Sequence, residues 1–211
     1  MSVAPTHPGL TVKQQARRHR VIQAALVLGA EGGYEAVQMR DVAATANVAL
    51  GTIYRYFSCK DHLLSAVWAE WTEELQARLA QRPPQGCNPT DCLVDVLRRA
   101  CRAIERQPRL TAALVKAVAS PDPAVARELD IVRDQIASMS KGILEYLDPE
   151  TREAVIAVIL HVWYSALQTW ANGRAPIGYV GDELERAVRL SLGPDGFPLG
   201  LQEASWAGRS L

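Results

Sequence analysis

Residues 50–60, Leu-Gly-Thr-Ile-Tyr-Arg-Tyr-Phe-Ser-Cys-Lys, bring hydroxyls, aromatic rings and cations together beside small residues. That chemistry suits duplex DNA. Cations and hydroxyls hold phosphate oxygens, and a slim helix surface reaches base edges in the major groove. The first residues of such a helix are the ones that meet bases. Here they are Leu50, Gly51 and Thr52. Ala49 and Gly51 permit close approach, and Thr52 offers a hydroxyl and a methyl. Ile53 and Phe57, four apart, form the apolar side, which turns Arg55 and Tyr56 outward. Lys60 follows, placed for a phosphate. Upstream, Arg40 can hold a phosphate or reach a guanine, while Arg17, Arg18 and Arg20 can touch phosphates across the groove.

Helices must position these side chains. Val21, Ala24, Ala25 and Leu28 recur at helical spacing and predict a first helix from about Lys13 to Ala30. Glu31-Gly32-Gly33 ends it, because glycine takes the left-handed cap conformation freely. Tyr34 and Val37 then plug the gap before a second helix over about Met39 to Ala46, whose inward residues are Val42, Ala43 and Ala46. Asn47 is the turn residue and tolerates positive φ. The third helix is predicted from about Leu50 to Phe57. Ser58 with Asp61 reads as a capping box for a fourth, which runs to about Gln81 and stops at Pro83-Pro84. Two helices joined by a tight turn and packed on another make a helix-turn-helix.

The pattern stays helical beyond this unit, with no convincing strand alternation. Helices are expected at about 90–106, 108–119, 122–147 (one helix or two), 148–172 and 181–192. The expected fold is all-α. A flexible arm covers 1–12 and a helix-turn-helix DNA-binding domain covers 13–60. A larger helical ligand-binding and dimerisation domain covers 61–193, and a glycine-rich tail covers 194–211. In that tail Phe197, Leu199, Leu201 and Trp206 are candidates to pack.

Bulk properties agree with this reading. In 211 residues, 48% are apolar, enough for a real core. The net charge is zero, yet residues 1–60 carry seven bases (Lys13, Arg17, Arg18, Arg20, Arg40, Arg55, Lys60) against Glu31, Glu35 and Asp41. A basic head on an acidic body suits one end meeting phosphate. Cys59, Cys87, Cys92 and Cys101 show no metal-ligand spacing and read as reduced thiols. The N-terminal stretch lacks a secretory apolar core. The longest apolar run, Ala154 to Leu167, is shorter than a membrane span and includes His161. The expectation is a soluble, cytoplasmic protein with no cofactor, no metal and no membrane partner.

The stretch from Arg17 to Val67 resembles the DNA-binding domain of TetR-type transcriptional regulators. That family's third helix has the form G-[TS]-[LIV]-Y-x-[HY]-F, followed by a lysine and a leucine pair. This chain has Gly51, Thr52, Ile53, Tyr54, Arg55, Tyr56 and Phe57, then Lys60, Leu63 and Leu64. The resemblance implies phosphate contacts from Tyr54, Tyr56 and Lys60. It sets Arg40, Leu50, Gly51 and Thr52 towards bases, with Arg55 beside them. Three departures stand out. Asn47 replaces a common glycine, Ala49 a serine or threonine cap, and Gln38 a threonine cap. Each lost cap should cost about 0.5–2 kcal/mol unless water or DNA substitutes.

The aromatic residues of the larger part need a role. Trp68 and Trp71, Trp163 and Leu167, with Leu97, Leu110, Leu114 and Met139, are the candidate wall of an apolar ligand cavity between helices. Plain core is the competing use of the same residues. A dimer is expected, since one head reads only a few base pairs. The last two helices are the interface candidates, with His161, Tyr164 and Gln168 on one and Leu184, Ala187 and Val188 on the other. GGYEAVQMR, ALGTIYRYF, QPRLTAALVKA and the HVWYSALQTW…ELERAVRLSLG ending are similar to the branch of the family that represses steroid (cholesterol) catabolism in actinobacteria. That likeness implies a CoA thioester effector that lifts the protein off DNA. The CoA end is then expected near Arg98, Arg99, Arg102 or Arg106. A fatty acyl-CoA or another bulky apolar molecule fits the same composition.

The reading is therefore a ligand-responsive repressor. It binds a partly palindromic double-stranded operator as a homodimer and is released by a small apolar effector, an acyl-CoA thioester among the candidates. The alternatives are an activator or a DNA-binding accessory protein with no ligand. Catalysis is not expected. His161 with Glu153 or Glu145 would be an acid–base pair without a nucleophile motif, a nucleotide loop or a metal cluster.

Overall fold

Thr11 starts the first helix by a capping box. Its hydroxyl accepts from the Gln14 amide at 3.4 Å, and the Gln14 side chain accepts from the Thr11 amide at 2.8 Å. The computed structural model describes residues 10–193. The predicted arm up to residue 9 and the predicted tail from 194, with Phe197, Leu199, Leu201 and Trp206, lie outside the described residues. Among those described, all regular structure is helical. Helix α1 (Val12–Ala36) breaks at Gly33, where φ is +69°. That left-handed backbone favours glycine, as the sequence implied.

Helix α2 (Met39–Thr45) and α3 (Leu50–Tyr54) form the helix-turn-helix. Between them Asn47 has φ +51°, and the amides of Asn47 and Val48 donate to Ala44 and Ala43 carbonyls at 3.1 and 3.0 Å. We expect Asn47→Gly to leave stability nearly unchanged and Asn47→Val to lower it by about 1–2 kcal/mol in urea unfolding, because a branched side chain resists this conformation. Helix α3 is shorter than predicted. After Tyr54 the chain tightens into a turn, with the Tyr56 amide donating to Ile53 O at 2.8 Å. Neither Gln38 nor Ala49 makes a side-chain cap. The predicted Ser58–Asp61 capping box is not formed. Cys59 is the N-cap of α4 (Lys60–Gln81), its Sγ accepting from the His62 amide at 3.4 Å.

Four body helices start on proline after a polar residue. These are α5 (Pro89–Glu105), α6 (Pro108–Ala117), α7 (Pro123–Lys141) and α8 (Pro149–Ala171). Proline suits that position because its missing N–H has no partner to lose. Asn88, Asp122 and Asp148 also cap by side chain. Helix α9 (Gly178–Leu192) closes the body. The segment predicted as 122–147 is one helix followed by turns that bury Leu144 and Leu147. By length and composition alone α8 is long enough to cross a membrane. Its Val155, Ile156, Ile159, Trp163, Ala166 and Leu167 are nevertheless buried in the body.

Two apolar cores hold the chain. The head core joins Val21, Ile22, Ala25, Val42, Ile53 and Phe57 to Leu63 and Leu64 of α4, and to Leu110, Leu114 and Ala117 of α6. It therefore runs across residue 60, the expected domain edge. Gly29 is the reason α6 comes so close, since a Cβ there would sit 2.8 Å from Leu110 Cδ1. The body core gathers α5, α8 and α9 around Leu97, Trp163, Leu167 and Leu184, with Trp68 packed against both cores.

Candidate nucleic-acid interface and ligand cavity

Burial of Val42, Ala43, Ala46, Ile53 and Phe57 fixes which side of the helix-turn-helix faces out. Gly51, Tyr54, Arg55 and Arg40 are exposed, and Leu50, Thr52 and Tyr56 are half-buried. A Cβ added to Gly51 would meet nothing within 4 Å. Its missing side chain serves no internal contact, so the space it leaves belongs to whatever docks outside. Among the described residues Arg17, Arg20, Arg40 and Arg55 make no ion pair, so their charge is not neutralised within the chain. Lys60 has partners already. Its ammonium lies 3.8 Å from the Tyr34 ring centre and donates to Tyr34 O at 3.1 Å. Lys116 of α6 covers the same ring at 4.1 Å and pairs with Glu35 at 2.8 Å. The Tyr34 hydroxyl donates to Asp61 at 2.6 Å; burial, with Asp61 close by, pushes its pKa well up.

Arg18 is not a phosphate ligand in this structure. It is buried, and its guanidinium donates to Glu128 of α7 at 2.9 Å and lies 3.7 Å from Glu70 of α4. It also covers the Phe57 ring at 5.1 Å. Burial lowers its pKa, against the pull of Glu128 and Glu70. His62 Nε2 is 3.5 Å from the same Glu128 oxygen, and His62 Nδ1 lies 3.1 Å from the Ser58 amide that donates to it. The His62 ring meets Phe57 edge-on at 5.3 Å. Asp122, the cap of α7, accepts from Ser58 Oγ at 2.8 Å and Cys59 Sγ at 3.3 Å. Its carboxyl is held below the usual range, first by the Ala124 amide and then by Ser58 and Cys59. Helix α7 thus clasps α1 and the α3–α4 junction together.

Further along the same helix, α7 walls a cavity of about 380 Å³ between α4, α5, α7 and α8. Of the residues proposed as a cavity wall, Trp68, Trp71, Leu97, Met139, Trp163 and Leu167 line it. Leu110 and Leu114 do not; Gly29 lets α6 sink into the head core, where both are buried. The wall is apolar apart from Thr72, Arg133, Ser140, Tyr164 and the tryptophan N–H groups. Trp163 Nε1 is buried with no acceptor among the described residues. Such a donor is costly to leave unmatched.

Residues 21–67 match the family described as bacterial regulatory proteins, tetR family, and residues 86–191 match the tetracyclin repressor-like C-terminal domain. A curated relative, the HTH-type transcriptional repressor KstR of Rhodococcus jostii (strain RHA1), is 40% identical over 181 residues, 85% of this chain and 84% of that one. The chain belongs to the TetR family. It is KstR-like, a transcriptional repressor of that type and not an enzyme. The crystal structure of a TetR regulator from Rhodococcus sp. RHA1 superposes with a TM-score of 0.77 at 28% identity, covering 86% of this chain and 98% of that one. The Thermus thermophilus FadR repressor, solved in complex with lauroyl-CoA, shares the fold with a TM-score of 0.67 at 23% identity, over 82% and 92% of the two chains.

Within this TetR frame the remaining predicted residues divide. His161 and Tyr164 are exposed on α8, in line with Ala154, Val158 and Ser165, and Gln168 is half-buried, donating to the Tyr164 hydroxyl. Val158 is 47% exposed and Tyr164 40%, so this face is apolar and open. Leu184, Ala187 and Val188 are buried inside the chain's own body and are not available to a partner. On α9 the outward apolar residue is Leu190, 64% exposed. The arginines expected at the ligand's charged end also lie elsewhere. Arg98 pairs with Glu185, while Arg99 pairs with Asp95 and donates to the carbonyls of Arg82 and Pro83. Arg102 and Arg106 line a separate groove that shares only Leu75 with the cavity.

Nothing in the sequence marks these roles for Glu128, Asp122 and Glu70, and Tyr34 reads there only as a packing residue. Asp122 before Pro123 is legible as a helix cap, but nothing local says that it also holds Ser58. The partner of Glu128 is 110 residues away.

Proposed function

We propose that this chain is a ligand-responsive repressor, acting in the cytoplasm as a homodimer on a partly palindromic operator. A bulky apolar effector of the acyl-CoA thioester class, steroid or fatty, releases it. One observation carries the reading. Helix α7 walls the cavity through Leu129, Val132, Ile136 and Met139, and the same helix holds the helix-turn-helix through Glu128 and Asp122. An occupant that shifts α7 must reposition Phe57 and the start of α4. A ligand changes an equilibrium only by its preference between two states, and this linkage gives it one. The unmatched Trp163 N–H supports an effector that carries an oxygen acceptor, such as a ketone or thioester carbonyl. The relative solved with lauroyl-CoA supports the thioester class. The exposed α8 face supports pairing of two copies, which would space two heads for adjacent half-sites.

Fluorescence anisotropy with duplexes from the gene's own promoter region tests this. Binding is expected to be tight, to weaken steeply with salt, and to be reversed by an acyl-CoA thioester. Equal binding to random duplex would defeat the reading. Ala100→Phe probes the cavity, since Ala100 is buried in its wall. That variant is expected to bind operator within about threefold of wild type while losing release by thioester; release at wild-type concentration would place the effector elsewhere.

A further inference from the structure

The geometry points to the α7–α8 seam as the exit for the effector's charged end, with Lys141, Arg152 and Arg133 gripping a bulky phosphorylated head. This deepens the effector reading above and rests on it. The cavity and the seam adjoin: Arg133, Ile156 and Leu160 line both. Outward from them the seam offers about 860 Å³, more than the apolar cavity beside it. A lone carboxylate would leave most of that space to water, whereas the diphosphate and ribose phosphate of a CoA nucleotide would occupy it.

Charge favours the same head. The seam holds Arg133, Lys141 and Arg152 against Asp134 and Glu153, with His161 at its border with the exposed α8 face. Arg133 lies 3.3 Å from Asp130 and 3.8 Å from Asp134. Lys141 and the half-buried Arg152 make no ion pair among the described residues. They stand across the seam from one another, one at the end of α7 and the other in the first turn of α8. Phosphate oxygens suit such cations through charge-assisted hydrogen bonds. The rival exit, the α4–α5 groove, is rich in arginine but shares only Leu75 with the cavity, against three residues for the seam. Leu75 and Leu79 are buried between it and the body core. Arg99 is already committed to Asp95 and two carbonyls, and Arg78 to Glu74.

The test compares the full-length wild type with Lys141→Glu/Arg152→Glu and with Arg102→Glu/Arg106→Glu. Lauroyl-CoA, stearoyl-CoA and the CoA thioester of a steroid side-chain acid are each titrated beside their free acids. Binding is followed by tryptophan fluorescence, and operator release by anisotropy. For whichever thioester binds wild type, the seam variant is expected to lose about tenfold or more in affinity. Its affinity for the matching free acid should change less than about threefold, and the groove variant should behave as wild type. Loss confined to the groove variant would overturn the inference and leave the effector reading intact. So would wild type that binds free acids as tightly as thioesters. Failure of every thioester and acid to bind wild type would instead defeat the effector reading, and this inference with it.

Discussion

Arg18→Ala is expected to lower the free energy of unfolding by about 3–5 kcal/mol, the cost of breaking a buried ion pair by removing one partner. The side chains of Arg18 and Glu128 are only 10% and 4% exposed. Removing the guanidinium takes a 2.9 Å hydrogen bond from the Glu128 carboxylate and leaves His62 beside it at 3.5 Å. It also uncovers Phe57, over which the guanidinium lies. Urea unfolding measures the loss directly. The informative control is Arg18→Met with Glu128→Leu. Two apolar chains of similar volume need no charge partner, so the double variant should recover most of the stability. A shift below about 1 kcal/mol for Arg18→Ala would mean that the pair is incidental. The double variant also separates folding from signalling. It keeps the packing but removes the charged tie between α7 and the head. Coupling between effector and operator is then expected to weaken by about fivefold or more, within the usual range for linked sites, as read from operator affinity with and without thioester.

Gly51→Asp should have the opposite profile. No atom lies within 4 Å of an added Cβ, so the fold has room for the side chain. An aspartate in the first turn of α3 interacts favourably with the helix dipole. Thermal stability should therefore hold or rise slightly. On the proposed DNA face the same carboxylate would stand against the duplex and meet phosphate charge. Operator affinity is expected to fall by about a hundredfold or more, near 3 kcal/mol. Gel shift with wild-type protein as reference checks this, alongside circular dichroism melting. Retained operator binding would mean that the exposed side of α3 is not the reading surface.

Much of the head was legible because its signals are local. Gly33 and Asn47 adopt the positive φ that their types suggest. Ile53 and Phe57 are fully buried, as their spacing implied. The capping box at Ser58 failed for a physical reason. Ser58 had a stronger partner in Asp122, 64 residues on, which a local motif cannot foresee. Arg18 illustrates the same limit. Arginine beside arginine near the start of a helix reads as a phosphate grip, yet Arg17 and Arg18 point different ways, and only a tertiary acid decides which is buried. Leu110 and Leu114 have the composition of a cavity wall, but the gap left by Gly29 draws α6 into the head. Leu184, Ala187 and Val188 make an amphipathic stripe that fits either a partner or the chain's own core, and periodicity cannot tell the two apart. The family motif grouped the exposed residues of α3 in advance; the long-range carboxylates on α7 had no such signature.

The four prolines that open α5 to α8 constrain how any effector signal can travel. A proline ring bars the preceding residue from helical backbone and supplies no amide for another turn. These helices therefore cannot lengthen or rewind at their leading ends. Signal passage through the body must proceed as tilting or sliding of intact rods, with slack taken up at their trailing ends and in the short links between them. In amide hydrogen exchange, the first turns of α5 to α8 should keep the same protection with or without effector, while changes gather at the Ser140–Leu147 turns and at the link from Val118 to Pro121.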